Sequence, residues 1–339
     1  MGFYLNEEDL NAILECWKKD YKICGPVRMA GGNTFSDVDC VRYGIIKKTD
    51  DIVFNQKSDY SFKEVLFPLS KTLFSFTDEQ VCETSADKKG IIIFLRSCDL
   101  HAVKRLDAIY LQNGRNEDYY YKRVRERTKF ILIGCREAFD SCFCVDMGTN
   151  QTTVYDMSLE PTDGGFLVDN HCEAWNELLK KHCMDQREVI PSHVSETEIC
   201  VSIPKGLSPD VGKSKIWDEY DSRCINCGRC NFVCPTCTCF TMQDISESGI
   251  VGERRRVHAS CMVNGFTDIA GGGSFRKKNG ERMRFKVLHK VYDFNERFGY
   301  QMCVGCGRCD DVCPEYISFS HCVNRLKDAV EEVKDYAAK

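Results

Sequence analysis

Two stretches near the C-terminal end of this 339-residue chain decide how it folds: CINCGRCNFVCP at residues 224–235 and CVGCGRCDDVCP at residues 303–314. Each places its cysteines at the spacing C-x2-C-x2-C-x3-C and follows the last cysteine with proline. Gly228 and Gly307 occupy matching places inside the two runs, where the missing β-carbon would let the backbone approach a bound group closely. The rest of the chain must pack around this pair of runs.

The spacing is that of bacterial ferredoxins, in which three cysteines of one run hold a [4Fe-4S] cluster and the fourth ligates the other cluster. A tight loop can wrap three corners of a cubic cluster but does not reach the fourth. Structural zinc sites have a longer gap between their CxxC pairs, so we prefer clusters to zinc here. The sequence predicts one cluster on Cys224, Cys227, Cys230 and Cys313, and a second on Cys303, Cys306, Cys309 and Cys234.

Three further cysteines lie close to the first run. Cys237, Cys239 and Cys261 exceed the ligands that two clusters need. They are either spare thiols packed near a cluster or ligands of another cofactor, and the sequence leaves both interpretations open.

Composition limits the class of protein. A count of 23 cysteines also suits a secreted disulfide scaffold, but the opening MGFYLNEEDLN has no basic stretch followed by an apolar one, so we expect no signal peptide. No run approaches the ~18 apolar residues of a membrane span. We therefore expect thiols and metal ligands in a reducing cytoplasm. A net charge of -5 argues against non-specific nucleic-acid binding.

The N-terminal half contains a strand–helix–strand pattern. Ile91–Leu95 and Phe130–Ile133 are short apolar runs that suit buried strands, and the residues between them have helical periodicity. Such a crossover predicts a parallel pair of strands. We therefore expect an α/β N-terminal domain with a partly parallel sheet.

Four cysteines fall where this sheet would place a ligand. Cysteines follow both predicted strands at their carboxyl ends, and two more come shortly afterwards, so all four can converge on one sheet edge. We interpret them as ligands of a third [4Fe-4S] cluster, although buried thiols or a zinc site remain open. Arg96 and Arg136 could tune its potential, and Asp99 could cap the helix. The candidate ligands are Cys98, Cys135, Cys142 and Cys144.

The chain length predicts more than one domain. We place the α/β domain at residues 1–203, a linker rich in proline and glycine at 204–215, and the cluster domain at 216–339. Residues 276–298 look helical, and the two runs are far apart, so the cluster domain is predicted to be mainly α-helical rather than the small β-ribbon kind.

Long stretches beyond the cysteine runs resemble a known family. The sequence resembles the A subunit of anaerobic sulfite reductase and, more distantly, the β subunit of cytoplasmic sulfhydrogenases. The family pattern also includes the Arg-x-Cys-Asp, Gly-Cys-like and Cys-Phe-Cys elements of the third candidate site. The matching stretches are Phe35–Asp37, Ile91–Asp99, Cys142–Asn150, Tyr220–Cys239, Gly252–Arg256, Ser260–Met262 and Met302–Pro314.

The resemblance implies an electron-transfer subunit of a cytoplasmic heterotrimer. Electrons would come from a subunit that binds FAD and NADH and pass to a sirohaem subunit that reduces sulfite to sulfide. The sequence has no dinucleotide-binding fingerprint, so NADH is expected to bind a partner, and no residue here is given a bond-making role.

Other functions use the same relay. A hydrogenase or sulfhydrogenase subunit and a standalone ferredoxin-like carrier are the alternatives. An iron–sulfur redox sensor has less support, because no DNA-binding pattern is present.

Overall fold

The computed structural model describes residues 2–33, 36–85, 87–183 and 185–337. Phe35, within one of the stretches that carry the resemblance, lies outside these ranges. The N-terminal half alternates strands and helices in the order β1 Gly2–Leu5, α1 Glu7–Trp17, β2 Tyr21–Met29, β3 Cys40–Ile45, α2 Lys63–Leu66, β4 Ser70–Phe76, β5 Val81–Glu83, β6 Gly90–Leu95, α3 Ser97–Leu111, α4 Tyr119–Arg125, β7 Thr128–Ile133, β8 Met157–Thr162, β9 Gly165–Asn170, α5 Asn176–His182 and β10 Asp185–Gln186.

Within the described residues, eight of these strands form one mixed sheet in the order β10-β1-β9-β8-β7-β6-β2-β3. The central pairs β2/β6, β6/β7 and β7/β8 are parallel, and the remaining pairs are antiparallel. The predicted α/β architecture and the parallel pairing across α3 are therefore confirmed. Ile92–Leu95 on β6 and Ile131–Ile133 on β7 are buried, because helices or loops cover both faces of the sheet.

The C-terminal half is largely helical around its cysteine runs. Its elements are α6 Glu219–Arg223, α7 Arg229–Phe232, β11 Phe240–Ser248, β12 Val251–His258, β13 Asp268–Ile269, β14 Gly273–Ser274, α8 Asn279–Leu288, α9 Phe294–Phe298, α10 Arg308–Asp311, α11 Phe319–Asn324 and α12 Leu326–Ala337. A π-helical turn, His289–Asp293, joins α8 to α9. The predicted helices within 276–298 are thus confirmed.

The long hairpin β11–β12 was not predicted from the sequence. It pairs with β4 and β5 of the N-terminal half in the order β11-β12-β4-β5, so this second sheet draws strands from both halves of the chain. Many side chains of β11 are exposed, and therefore the apolar pattern that marks a buried strand is weak.

Three apolar cores support the regions that matter for the site. The first lies under the mixed sheet against α1 and α5, and the second lies among α6, α8, α11 and α12 beneath the cysteine runs. The third packs α2, α3 and α4 on the mixed sheet and includes Cys306 of the second run. The segment predicted as a linker includes a 3-10 turn, Pro209–Lys213, whose Val211 is buried in the second core. Among the described helices, none combines the length and the apolar character that crossing a membrane requires.

Candidate cluster-binding sites

The first run wraps a cavity between itself, α8 and the last part of the second run. Helix α6 ends just before Cys224, and Gly228, at φ +72°, turns the chain into the short helix α7. Cys224, Cys227 and Cys230 line the cavity together with Cys313 from the second run. The fold therefore brings together the four residues predicted for the first cluster.

The second run wraps a neighbouring cavity. Its lining combines the first three cysteines of this run with Cys234, the last cysteine of the first run. Cys230 and Cys309 line both cavities, so the two sites adjoin. The residues of the predicted second set, Cys303, Cys306, Cys309 and Cys234, are thus also brought together, in the crossed arrangement that the spacing predicts.

Backbone donors point at two of these sulfurs. The N–H of Gly305 donates to Sγ of Cys303 at 3.4 Å, and the N–H of Ile317 donates to Sγ of Cys313 at 3.3 Å. Hydrogen bonds to sulfur stabilise the anionic form of a ligand and tune the potential of a cluster that it binds.

The two matching glycines line the two cavities, and the β-carbon that each lacks would meet protein. A β-carbon on Gly228 would lie 2.7 Å from Cγ2 of Val263. A β-carbon on Gly307 would lie 2.2 Å from the carbonyl oxygen of Ser141. The second loop is therefore in close contact with the segment that carries the N-terminal cysteines, which is a further reason for glycine at this position.

Lysines are buried around the cavities. Lys63, Lys286 and Lys290 are at most 5% exposed. Among the described residues, no carboxylate forms an ion pair with any of the three. Burying an unpaired cation is costly, so the anionic charge of a thiolate-ligated cluster fits this surrounding. These lysines were not predicted from the sequence. Lys286 and Lys290 lie four positions apart on one helix face, whereas Lys63 has no such signal.

The N-terminal cysteines also converge. Cys98 begins α3, Cys135 follows β7, and the other two lie in the next loop. Burial, and then the neighbouring Cys142 and Cys135, raise the pKa of Cys144 to about 12. Burial raises the pKa of Cys98 well above its usual range, and Cys306 and Cys144 add to this. Cys98 and Cys135 thus follow neighbouring parallel strands at one edge of the sheet, and Sγ of Cys142 donates to the carbonyl of Cys306 in the second run at 3.7 Å.

The polar residues near this third group have separate roles. Arg96 donates to Sγ of Cys135 at 3.4 Å, as a tuning residue would. Arg136 instead pairs with Glu160 at 2.8 Å and with the carbonyl of Pro161. Asp99 lies in the first turn of α3, where its carboxylate forms an ion pair with Arg308.

The third group contacts the second run directly. The N–H of Phe143 donates to the carbonyl of Gly305 at 2.8 Å, and the hydroxyl of Thr149 donates to the carbonyl of Val304 at 2.7 Å. Thr149 is fully buried. The N-terminal cysteines and the second cavity thus form one continuous packed region.

The arrangement of the predicted ligands differs from that of a single-ion site. Within residues 2–33, 36–85, 87–183 and 185–337, no group of three or more Cys, His, Asp or Glu side chains is arranged to hold a single ion. The ferredoxin-type cysteines surround cavities instead, as a polynuclear group requires.

The additional cysteines pack beside the sites. Cys237 and Cys261 are each 5% exposed. The carbonyl of Cys237 accepts from Nζ of Lys63 at 2.8 Å, and Sγ of Cys261 accepts from Nδ2 of Asn231 at 3.1 Å. Neither residue lines the two ferredoxin-type cavities, which favours the spare-thiol interpretation for both of them.

Comparisons with known proteins agree with this geometry. A family model described as a 4Fe-4S dicluster domain matches residues 223–317, which include both cysteine runs. Sulfhydrogenase 2 subunit beta of Pyrococcus furiosus is 27% identical over 323 residues, which is 91% of this chain and 93% of that protein. No solved structure matches the chain. The chain is thus a homologue of that β subunit and carries a dicluster domain that indicates [4Fe-4S] clusters.

Proposed function

We propose that this chain is the electron-transfer subunit of a cytoplasmic anaerobic sulfite reductase complex. It would take electrons from a subunit that binds FAD and NADH and deliver them to a sirohaem subunit that reduces sulfite to sulfide. The chain itself makes and breaks no substrate bond.

One observation carries the relay function: two cavities adjoin, and the lining of each includes a crossed set of four cysteines. Residues Cys230 and Cys309 line both cavities, so groups held there lie side by side. Bound at these positions, [4Fe-4S] clusters would supply one-electron transfer. The assignment of four cysteines to each cluster is part of this proposal.

The surrounding residues fix and insulate the second site. Phe143, Val304 and Phe319 line its cavity and are each at most 2% exposed. They bury the thiolates among apolar side chains, and helix α8 and the second core pack beneath the two cysteine runs. A buried, closely packed surrounding suits electron exchange, because few solvent dipoles have to rearrange when the charge changes.

We also assign a third cluster to Cys98, Cys135, Cys142 and Cys144. Their convergence at the sheet edge and their packing against the second run support it. The α/β domain of residues 1–203 would hold this site, and residues 216–339 would form the dicluster domain after the 204–215 linker.

The assignment to a sulfite reductase complex rests on sequence resemblance and not on the cavities. The long stretches that resemble the sulfite reductase A subunit favour sulfite as the final acceptor. The similarity to a sulfhydrogenase β subunit favours the alternative, in which the same relay serves a hydrogenase. A standalone carrier is the third candidate.

Purification of the native complex under anaerobic conditions separates these functions. We expect a sirohaem-containing subunit and an FAD subunit to co-purify, and NADH oxidation to depend on added sulfite with sulfide as product. Hydrogen evolution from NADH without sulfite reduction would instead establish the hydrogenase relay. If the chain purified without any partner subunit, the result would support the function of a standalone electron carrier.

A further inference from the structure

The helix beside the two cavities carries two buried lysines on one face. Lys286 belongs to α8, and Lys290 belongs to the π-helical turn that follows it. They are 5% and 3% exposed, although each carries an ammonium group. π-Helical turns within helices occur frequently at functional sites.

Lys290 is attached to the second cavity by both its side chain and its backbone. Its Nζ donates to Sγ of Cys234 at 3.3 Å and to Oγ1 of Thr236 at 2.9 Å. Its carbonyl accepts from the N–H groups of Met302 and Cys303 at 2.9 and 3.4 Å. Lys290 therefore contacts one predicted ligand directly and holds the start of the loop that supplies three others.

Lys286 has a different relation to the cavities. It lines both of them, whereas Lys290 lines only the second. Lys286 is therefore placed to act on a group held in either cavity.

Fixed cations act on the reduction of a cluster. Reduction adds one negative charge, so a cation held nearby stabilises the reduced form and raises the reduction potential. The effect is large in a dry interior and falls with distance. A charged hydrogen bond to a ligating sulfur adds to it.

We propose that Lys290 selectively raises the reduction potential of the second cluster through Cys234, and that Lys286 raises the potentials of both ferredoxin-type clusters. The inference rests on the proposed function, because it requires both clusters. Lys290 thereby favours the electron on the second cluster, the one that contacts the N-terminal cysteine group.

Redox titrations followed by EPR test this on the iron-loaded chain within its native complex. Replacement Lys290→Met should lower one of the two midpoint potentials and move the other much less. We expect at least a tenfold change in the one-electron equilibrium constant, which is about 59 mV. Lys286→Met should lower both potentials, and Lys290→Arg, which keeps the charge, should stay near the native values.

The control is Lys277→Met, which removes an exposed charge just before the same helix and should move neither potential. Iron content is measured for every variant. If Lys290→Met assembles less iron, Lys290→Gln is titrated in its place, and Lys286→Met remains an independent test.

The outcomes distinguish the two proposals. Unchanged potentials in iron-replete Lys290 and Lys286 variants would overturn the lysine inference, as would equal shifts of both clusters in Lys290→Met. A native chain without [4Fe-4S] signals would instead overturn the proposed function itself.

Discussion

Arg308 and Asp99 form a bidentate ion pair in the protein interior, with N–O distances of 2.7 and 2.9 Å. Arg308 is 1% exposed and Asp99 is fully buried. Arg308 lies inside the second cysteine run, and Asp99 follows Cys98 at the start of α3. The pair therefore joins the loop of the second candidate cluster to the N-terminal cysteine group.

We expect Arg308→Met to destabilise the protein strongly. Removing one partner of a buried ion pair leaves an uncompensated charge, which costs about 3–5 kcal/mol. Urea denaturation of the iron-loaded chain, followed by circular dichroism, measures the loss. Arg229→Met, at the matching place in the first run, should cost less because Arg229 is more exposed. Equal losses of unfolding free energy in the two variants would show that the ion pair with Asp99 does not stabilise the fold more than Arg229 does.

The crossed ligands can be separated by single substitutions. Cys234→Ser should disturb the EPR signal of the second cluster, and Cys313→Ser that of the first. Cys237→Ser is the matched control, since Cys237 is buried in the same part of the chain but lines neither cavity. If Cys234→Ser disturbed only the cluster held by Cys224, Cys227 and Cys230, the crossing would be wrong.

The third cluster predicts an iron content. Three [4Fe-4S] clusters give about twelve irons per chain, and two give about eight. Cys144→Ser should lower the content by about four irons and remove one EPR signal. Cys172→Ser, a buried cysteine outside the site, should change neither measurement. About eight irons in the native chain would contradict the third cluster.

Gly307→Ala tests the contact between the second run and the N-terminal loop. Alanine there combines a left-handed backbone at φ +71° with a β-carbon 2.2 Å from the Ser141 carbonyl. Gly299→Ala is the control, because Gly299 has φ +78° but open space around the added carbon. Left-handed strain alone costs about 1–3 kcal/mol. We expect Gly307→Ala to lower the free energy of unfolding by clearly more than Gly299→Ala; equal effects would exclude the contact.

Stability should depend on pH through His258. Burial and the adjacent Lys63 lower the pKa of His258 from 6.5 to about 3. Between these values the unfolded chain binds a proton that the folded chain does not. The free energy of unfolding should therefore rise with pH, by at most about 1.4 kcal/mol per unit over this window.

Denaturation of the iron-loaded chain between pH 5 and 7 measures this slope. His258→Gln removes the titrating ring while keeping an acceptor for Nζ of Lys63, which lies 2.9 Å from Nε2 in the native chain. The variant should show a flatter dependence. A native slope that His258→Gln leaves unchanged would assign the effect to other groups.

The sequence by itself determined the features that depend on local spacing. The two cysteine runs predicted the dicluster region, because ligands on one tight loop must follow one another at fixed intervals. The apolar runs around Ile93 and Ile131 predicted parallel strands, since a short helical crossover leaves few alternatives. These predictions needed only neighbours in the chain.

Only the tertiary structure decided the contacts between distant residues. Arg308 meets Asp99 across 209 positions of sequence, and no periodicity marks either residue as a partner. The sequence does not distinguish Lys290 from other lysines on helices, and only the fold brings its Nζ to Sγ of Cys234. The hairpin β11–β12 is positioned by the pairing of β12 with β4, and its own apolar pattern does not predict it. Burial and charge compensation are properties of the assembled interior, which local spacing does not encode.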